Sequence, residues 1–210
     1  MDLLPRLNSL FAAASMRLFT ALDIDGAIRE RIMRFIEGVR NFAPDARWVK
    51  PEGLHITLKF IGEQPEDVVD PIKRALTTIN SGADEIQFQG YGFFPTAKSA
   101  RVFWIGLESG PQLSGLASMI DEKMSSLGIE RERRVFSPHI TLARGPGASA
   151  APDRHQGKVP NATFQRLQEK LSGLSTPDFG TMTPREFFLY QSHLSPKGST
   201  YTKLATFGLQ

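Results

Sequence analysis

The word His-Ile-Thr-Leu occurs twice in this chain, at residues 55–58 and 139–142. From average residue usage, Ile-Thr-Leu follows a given His only about once in several thousand trials. The chain has four histidines, so two such words are no accident of composition. The copies lie 84 positions apart, and the same gap-free offset carries Arg17 onto Arg101, Phe19 onto Phe103, Ile32 onto Leu116, Phe35 onto Met119 and Ile36 onto Ile120. A duplication of only two copies predicts two similar lobes about a pseudo-two-fold axis, since solenoids need at least about three repeats.

The local patterns agree with such a fold. Residues 17–24 read as a strand, and Asp25 as the N-cap of a helix reaching about residue 41. Ile28, Ile32, Phe35, Ile36 and Val39 recur there at helical spacing. Pro51-Glu52-Gly53 turns the chain into a strand over 54–61, which carries the first word. Pro65 opens a second helix to about residue 79, with Val68, Val69, Ile72, Leu76 and Ile79 on one face. Strands over 85–94 and 101–107 meet around Pro95. Gly110-Pro111 starts a third helix, striped by Leu113, Leu116, Ile120, Met124 and Leu127 and ended by Gly128. The second word sits on a strand over 137–144, before a glycine-rich loop over 145–158 and a fourth helix over 161–171. Strands over 185–194 and 200–209 close the chain as a hairpin. The class is α+β: antiparallel sheets line a central groove, with helices packed outside. The domain is expected to span 16–210. Residues 1–15 are interrupted by Pro5, Arg6, Asn8 and Ser9, and read as a non-essential extension rather than a secretion signal.

Chemistry follows from the strand period. Residues i and i+2 share a face, so His55 and Thr57 project together while Ile56 and Leu58 point into the core. His139 and Thr141 repeat the arrangement. Two imidazoles across one groove suit acid–base work near neutral pH, one taking a proton and the other giving one. Displacement at phosphorus needs such a pair. Thr57 and Thr141 can donate hydrogen bonds to non-bridging oxygens, and Arg144 adds a fixed positive charge.

Other chemistries fit less well. His-x-Thr lacks zinc-ligand spacing and no third ligand recurs with it, so neither metal nor cofactor is expected. Asp23-x-Asp25 is more simply a helix cap than a cation site. His155 and His193 read as solvated loop residues, and the mixed-sign run 130–134 as solvated surface. Gly90-Tyr91-Gly92 opens no helix and so is no phosphate loop, and Ser137 has no nucleophile-elbow pattern around it. The chain has no Cys, which fits a reducing compartment, and a cytoplasmic location is expected. No apolar run approaches the roughly 18 residues of a membrane span.

The residues at these positions resemble the 2H phosphoesterase superfamily, and within it the RNA 2′,3′-cyclic phosphodiesterase branch, also called 2′-5′ RNA ligase. The likeness rests on Arg17-Leu18-Phe19, on Arg47-Trp48-Val49-Lys50-Pro51, on His55 through Gly62, on Phe136 through Arg144, and on Gly198 through Leu204. It implies a bilobal α+β fold and hydrolysis of RNA 2′,3′-cyclic phosphate ends to 2′-phosphates without metal. By motif position, His55 is the implied proton donor and His139 the proton acceptor. Thr57, Thr141 and Arg144 are the implied phosphate holders, and Phe60 or Tyr201 a ribose or base contact. The expected partner is RNA or a small cyclic nucleotide, bound by a monomer away from any membrane. Ligation, hydrolysis of other cyclic phosphates or 2′-5′ oligonucleotides, and a vestigial RNA-binding module stay open as alternatives.

Overall fold

The computed structural model describes residues 15–147, 162–195 and 198–210. The first half of the duplication comprises β1 (Ser15–Asp23), α1 (Gly26–Val39), β2 (Arg47–Trp48) and β3 (His55–Pro65). Then α2 (Val69–Thr77) and β4 (Ile86–Phe94) lead to the second half: β5 (Val102–Ser109), α3 (Pro111–Ser126) and β6 (His139–Arg144). The chain closes with α4 (Gln165–Ser172), β7 (Asp178–Met182), β8 (Glu186–Ser195) and β9 (Gly198–Gly208).

The strands form two antiparallel sheets, ordered β3-β1-β8-β9 and β2-β6-β5-β4-β7. With β2 set aside, the two orders correspond strand for strand. β3 matches β6 and β1 matches β5, which is the 84-residue offset expressed as topology.

Each half's helix leans on the other half's sheet. Helix α1 buries Ile28, Ile32, Ile36 and Val39. Its Phe35 ring meets Phe103 at 6.4 Å and Phe179 at 5.4 Å, both in the second sheet, and Arg31 Nη1 donates to the Phe179 carbonyl at 3.0 Å. Helix α3 buries Leu113, Leu116, Ala117, Ile120 and Met124, and packs on β3 of the first sheet. One hydrophobic cluster therefore runs through both lobes. At roughly 1.5–3 kcal/mol per buried aliphatic or aromatic side chain, this shared core binds the lobes into one unit. The start of α3 is capped from outside: Asp84 Oδ2 accepts the Gln112 N–H at 2.7 Å. A Cβ at Gly110 would lie 2.4 Å from that oxygen, which explains the glycine.

Several expectations need correction. Asp25 occupies the N-cap position and its carbonyl accepts the Arg29 N–H at 2.9 Å, yet its side chain makes no capping bond. Pro65 ends β3 and caps a 3₁₀ turn over Glu66–Val68, which runs directly into α2, so the helical stretch begins as expected but is α-helical only from Val69. Leu127 lies past the last turn of α3 and is 36% exposed, so it leaves the buried stripe. His193 sits on β8, exposed, with Nε2 3.1 Å from Thr202 Oγ1, and not in a loop. The short strands β2 and β7 carry too little alternation to be read in advance. Residues 1–14, most of the 145–158 loop and His155 lie outside the described residues.

Among the described residues, three buried side-chain polar atoms have no hydrogen-bond partner: Thr20 Oγ1, Arg29 Nε and Trp104 Nε1. Thr20 is fully buried on β1. A buried unsatisfied hydroxyl costs about 1–3 kcal/mol. Thr20→Val keeps the shape and removes the hydroxyl, so urea unfolding of the variant is expected to show stability raised by about 1 kcal/mol. An unchanged or lower midpoint would show that the hydroxyl is satisfied.

Candidate active site

The two His-Thr words are built alike, down to a bulge. On β3 the burial alternates through His55, Ile56, Thr57 and Leu58, but Lys59 is then buried too and Phe60 turns outward. On β6 the same sequence of burial runs from His139 to Arg144. In each case the ladder skips a residue. Thr20 pairs with Lys59 and Ala21 with Thr57, leaving Leu58 extra. Phe103 pairs with Ala143 and Trp104 with Thr141, leaving Leu142 extra. A bulge re-aims the side chains that follow it. Residue five after the histidine, which strict alternation would send to the opposite face, is thereby returned to the histidine's face. Phe60 and Arg144 hold these matched positions.

The result is one pocket between the sheets. It is lined by His55, Thr57 and Phe60 from β3 and by His139, Thr141 and Arg144 from β6. Tyr201 of β9 joins them, so all the residues singled out from sequence meet here. The sequence did not single out four other lining residues as site residues: Arg17 and Phe19 of β1, Ser192 of β8, and Val49. Arg17 and Phe19 had a visible signal, since the 84-residue repeat carries both, and Val49 lies in a motif of the resemblance; Ser192 had none. The repeat mate of Arg17, Arg101, is not among the lining residues.

Both imidazoles are anchored the same way. His139 Nδ1 lies 2.8 Å from the Ser137 carbonyl, two residues upstream, and His55 is hydrogen-bonded to the backbone of Gly53, also two residues upstream. A carbonyl accepts the Nδ1–H, so Nε2 of His139 is left to face the pocket. Rings wedge each imidazole. Phe19 packs on His55 at 5.0 Å and Tyr201 meets it edge-on at 5.2 Å. Phe94 meets His139 edge-on at 5.0 Å, with Trp104 at 6.2 Å. Trp104 in turn lies flat on Gly92, where a Cβ would sit 2.1 Å from its Cζ2.

Burial lowers the proton affinity of His55, to a pKa of about 4, against the opposing pull of its Gly53 hydrogen bond and the Asp23 charge. Burial likewise lowers that of His139, and the positive charge of Arg144 adds to the effect. Arg144 is itself pushed down, first by burial and then by Arg47 and Arg17, while Tyr201 works the other way. Three guanidiniums held near one pocket create an anion-seeking field. Among the described residues, no three His, Cys, Asp or Glu side chains are grouped as a metal ion would require. No helix among them is long and apolar enough to cross a membrane.

The lowered histidines link stability to pH. The unfolded chain takes up a proton at His55 near pH 6.5, whereas the folded chain does so only at about 4. Stability is therefore lost as pH falls between those values. A series of melting temperatures across this range is expected to decline, and the decline to flatten in His55→Gln. Equal slopes in both proteins would contradict the burial of a neutral His55.

Comparison with known proteins places the whole arrangement in company. The family described as "LigT like Phosphoesterase" matches residues 22–104. An RNA 2′,3′-cyclic phosphodiesterase of Archaeoglobus fulgidus is 35% identical over 192 residues, covering 91% of this chain and 99% of the relative. One from Methanothermobacter thermautotrophicus is 30% identical, covering 92% and 99%. The crystal structure of E. coli LigT complexed with 3′-AMP superposes with a TM-score of 0.72 at 26% identity, over 94% of this chain and 99% of that one.

Proposed function

Since this chain belongs to the LigT-like phosphoesterase family of the 2H superfamily, we propose that it hydrolyses RNA 2′,3′-cyclic phosphate ends to 2′-phosphates by two-histidine acid–base catalysis, without metal. The observation that carries the reading is the single pocket in which both His-Thr pairs and Arg144 converge. The relatives' names point to the same substrate class.

The reaction needs few parts. Thr57, Thr141 and Arg144 hold the non-bridging oxygens, where charge builds up. His139 takes a proton from water as its oxygen attacks phosphorus. The bond from phosphorus to the 3′ oxygen breaks, and His55 gives that oxygen a proton. The products are a 2′-phosphomonoester and a free 3′ hydroxyl. His55 is left neutral and His139 charged, and proton exchange with solvent resets them. Burial holds both rings toward the neutral form; the anionic phosphate supplies the field that charges His55. Phe60, which is 38% exposed, and Tyr201 give the sugar or base an aromatic wall. The acting species is a monomer, and the absence of Cys supports placing it in the cytoplasm.

The test is a short RNA with a 2′,3′-cyclic end, incubated with EDTA beside a second RNA bearing a 5′ hydroxyl. Release of a 2′-phosphate end with no joined product supports the proposal. A 2′-5′ joined product would make the chain a ligase, and tight binding without turnover would make it a binding module.

A further inference from the structure

The two histidines are matched by the repeat but not by their surroundings, and one carboxylate makes the difference. His55 stands opposite Asp23 in the ladder between β1 and β3. Residues so paired present their side chains to one face, with Cβ atoms about 4.5–5.5 Å apart. His139 stands opposite Gly106, and the residue 84 positions after Asp23 is Leu107. Neither carries charge.

Asp23 is held in place. Its Oδ1 accepts from Tyr190 Oη at 2.6 Å, and its Oδ2 from Lys203 Nζ at 3.1 Å. Lys203 rests over the Phe188 ring at 3.3 Å, and Phe19 stacks on Tyr190 at 5.3 Å while packing on His55. Carboxylate, imidazole and aromatic floor thus form one unit across β1, β3, β8 and β9. Around His55, Asp23 supplies the negative charge and Arg144 and His139 oppose it; burial and the Asp23 hydrogen bond push the Tyr190 phenol up, so it stays neutral. Around His139 the charge acting is that of Arg144.

We propose that Asp23 is a positioning residue for the proton donor His55, and that it favours the imidazolium there once the anionic phosphate is bound. The inference rests on the proposed hydrolysis of cyclic phosphates, in which His55 is the donor, and adds the group that supports its charged form. Asp23 touches neither phosphorus nor the leaving oxygen; it acts through His55.

The test compares Asp23→Asn with the unaltered enzyme on two substrates. On a nucleoside 2′,3′-cyclic phosphate the leaving ribose oxygen needs a proton. There Asp23→Asn is expected to lower kcat at least about tenfold, part of the roughly 10²–10⁴-fold that acid–base catalysis supplies, and to change KM little. The alkaline limb of its kcat–pH profile, which marks loss of the donor's proton, is expected to move to lower pH. On catechol cyclic phosphate the leaving oxygen is phenolic and needs little protonation, so the variant is expected to stay within about threefold of the unaltered enzyme. Tyr190→Phe, which frees one Asp23 oxygen, is expected to shift the same limb less. An unmoved limb with unchanged kcat, or equal losses on both substrates, overturns the inference. The hydrolysis reading fails separately, if the unaltered enzyme opens neither ester.

Discussion

Replacing His139 by Ala is expected to lower kcat on a cyclic-ended RNA by roughly 10²–10⁴-fold, the range a positioned acid or base supplies. His55→Ala is expected to do the same. Each imidazole is pinned by a backbone carbonyl two residues upstream and wedged by two rings, so its loss removes a fixed group rather than a mobile one. The double variant is expected to lose little beyond the worse single variant, because residues that act as a unit are not additive. Steady-state kinetics of the three variants decide the matter, with circular dichroism to confirm folding. Full activity in either single variant would remove the two-histidine mechanism.

Asp121→Ala is expected to destabilise the fold by about 3–5 kcal/mol, the usual cost of stripping one partner from a buried ion pair. Lys59 is the one buried cation among the described residues, with its side chain 4% exposed, and Asp121 Oδ1 lies 2.6 Å from its ammonium. The remaining acceptor is the Glu130 carbonyl at 3.0 Å. Burial pushes the Asp121 carboxyl up, but the hydrogen bonds from Lys59 and the Glu132 N–H, with the Lys59 and Arg131 charges, outweigh it and hold the carboxyl below its ordinary value. That stability is complete above the unfolded pKa of about 3.9 and is lost as pH falls through the lower folded value. Urea midpoints at neutral pH and in acid measure both effects. Lys59→Met with Asp121→Leu is expected to cost much less, since no charge is left stranded. A loss below about 1 kcal/mol in Asp121→Ala would mean the pair behaves as an exposed one.

Lys59 also illustrates what the sequence conceals. The two words are followed by different pairs, Lys59-Phe60 after the first and Ala143-Arg144 after the second. Phe60 and Arg144 do face the pocket, but Lys59 turns inward to Asp121 and serves the scaffold. The turn comes from the bulge at Leu58, matched at Leu142. A bulge is a property of the ladder between two strands, so neither strand's own pattern announces it. The inference that Arg144 joins the site, five residues after His139, depended on that unseen bulge. The alternation that buries Ile56, Leu58, Ile140 and Leu142 was legible, because period-two burial is local. The roles of Phe19, Ser192 and Asp23 were not, because they arise from which strand lies beside which. The unequal carboxylate at Asp23 was visible as a residue and was read only as a cap or cation site; its place opposite His55 is a fact of register.

The most direct measurement is phosphorus NMR of a nucleoside 2′,3′-cyclic phosphate incubated with the protein and EDTA. The cyclic ester resonates well away from the monoesters, and the 2′- and 3′-phosphates are distinguishable from each other. Two-histidine hydrolysis with departure of the 3′ oxygen is expected to replace the cyclic signal by that of the 2′-phosphate alone. A persistent cyclic signal, a 3′-phosphate product, or turnover that EDTA abolishes would contradict it.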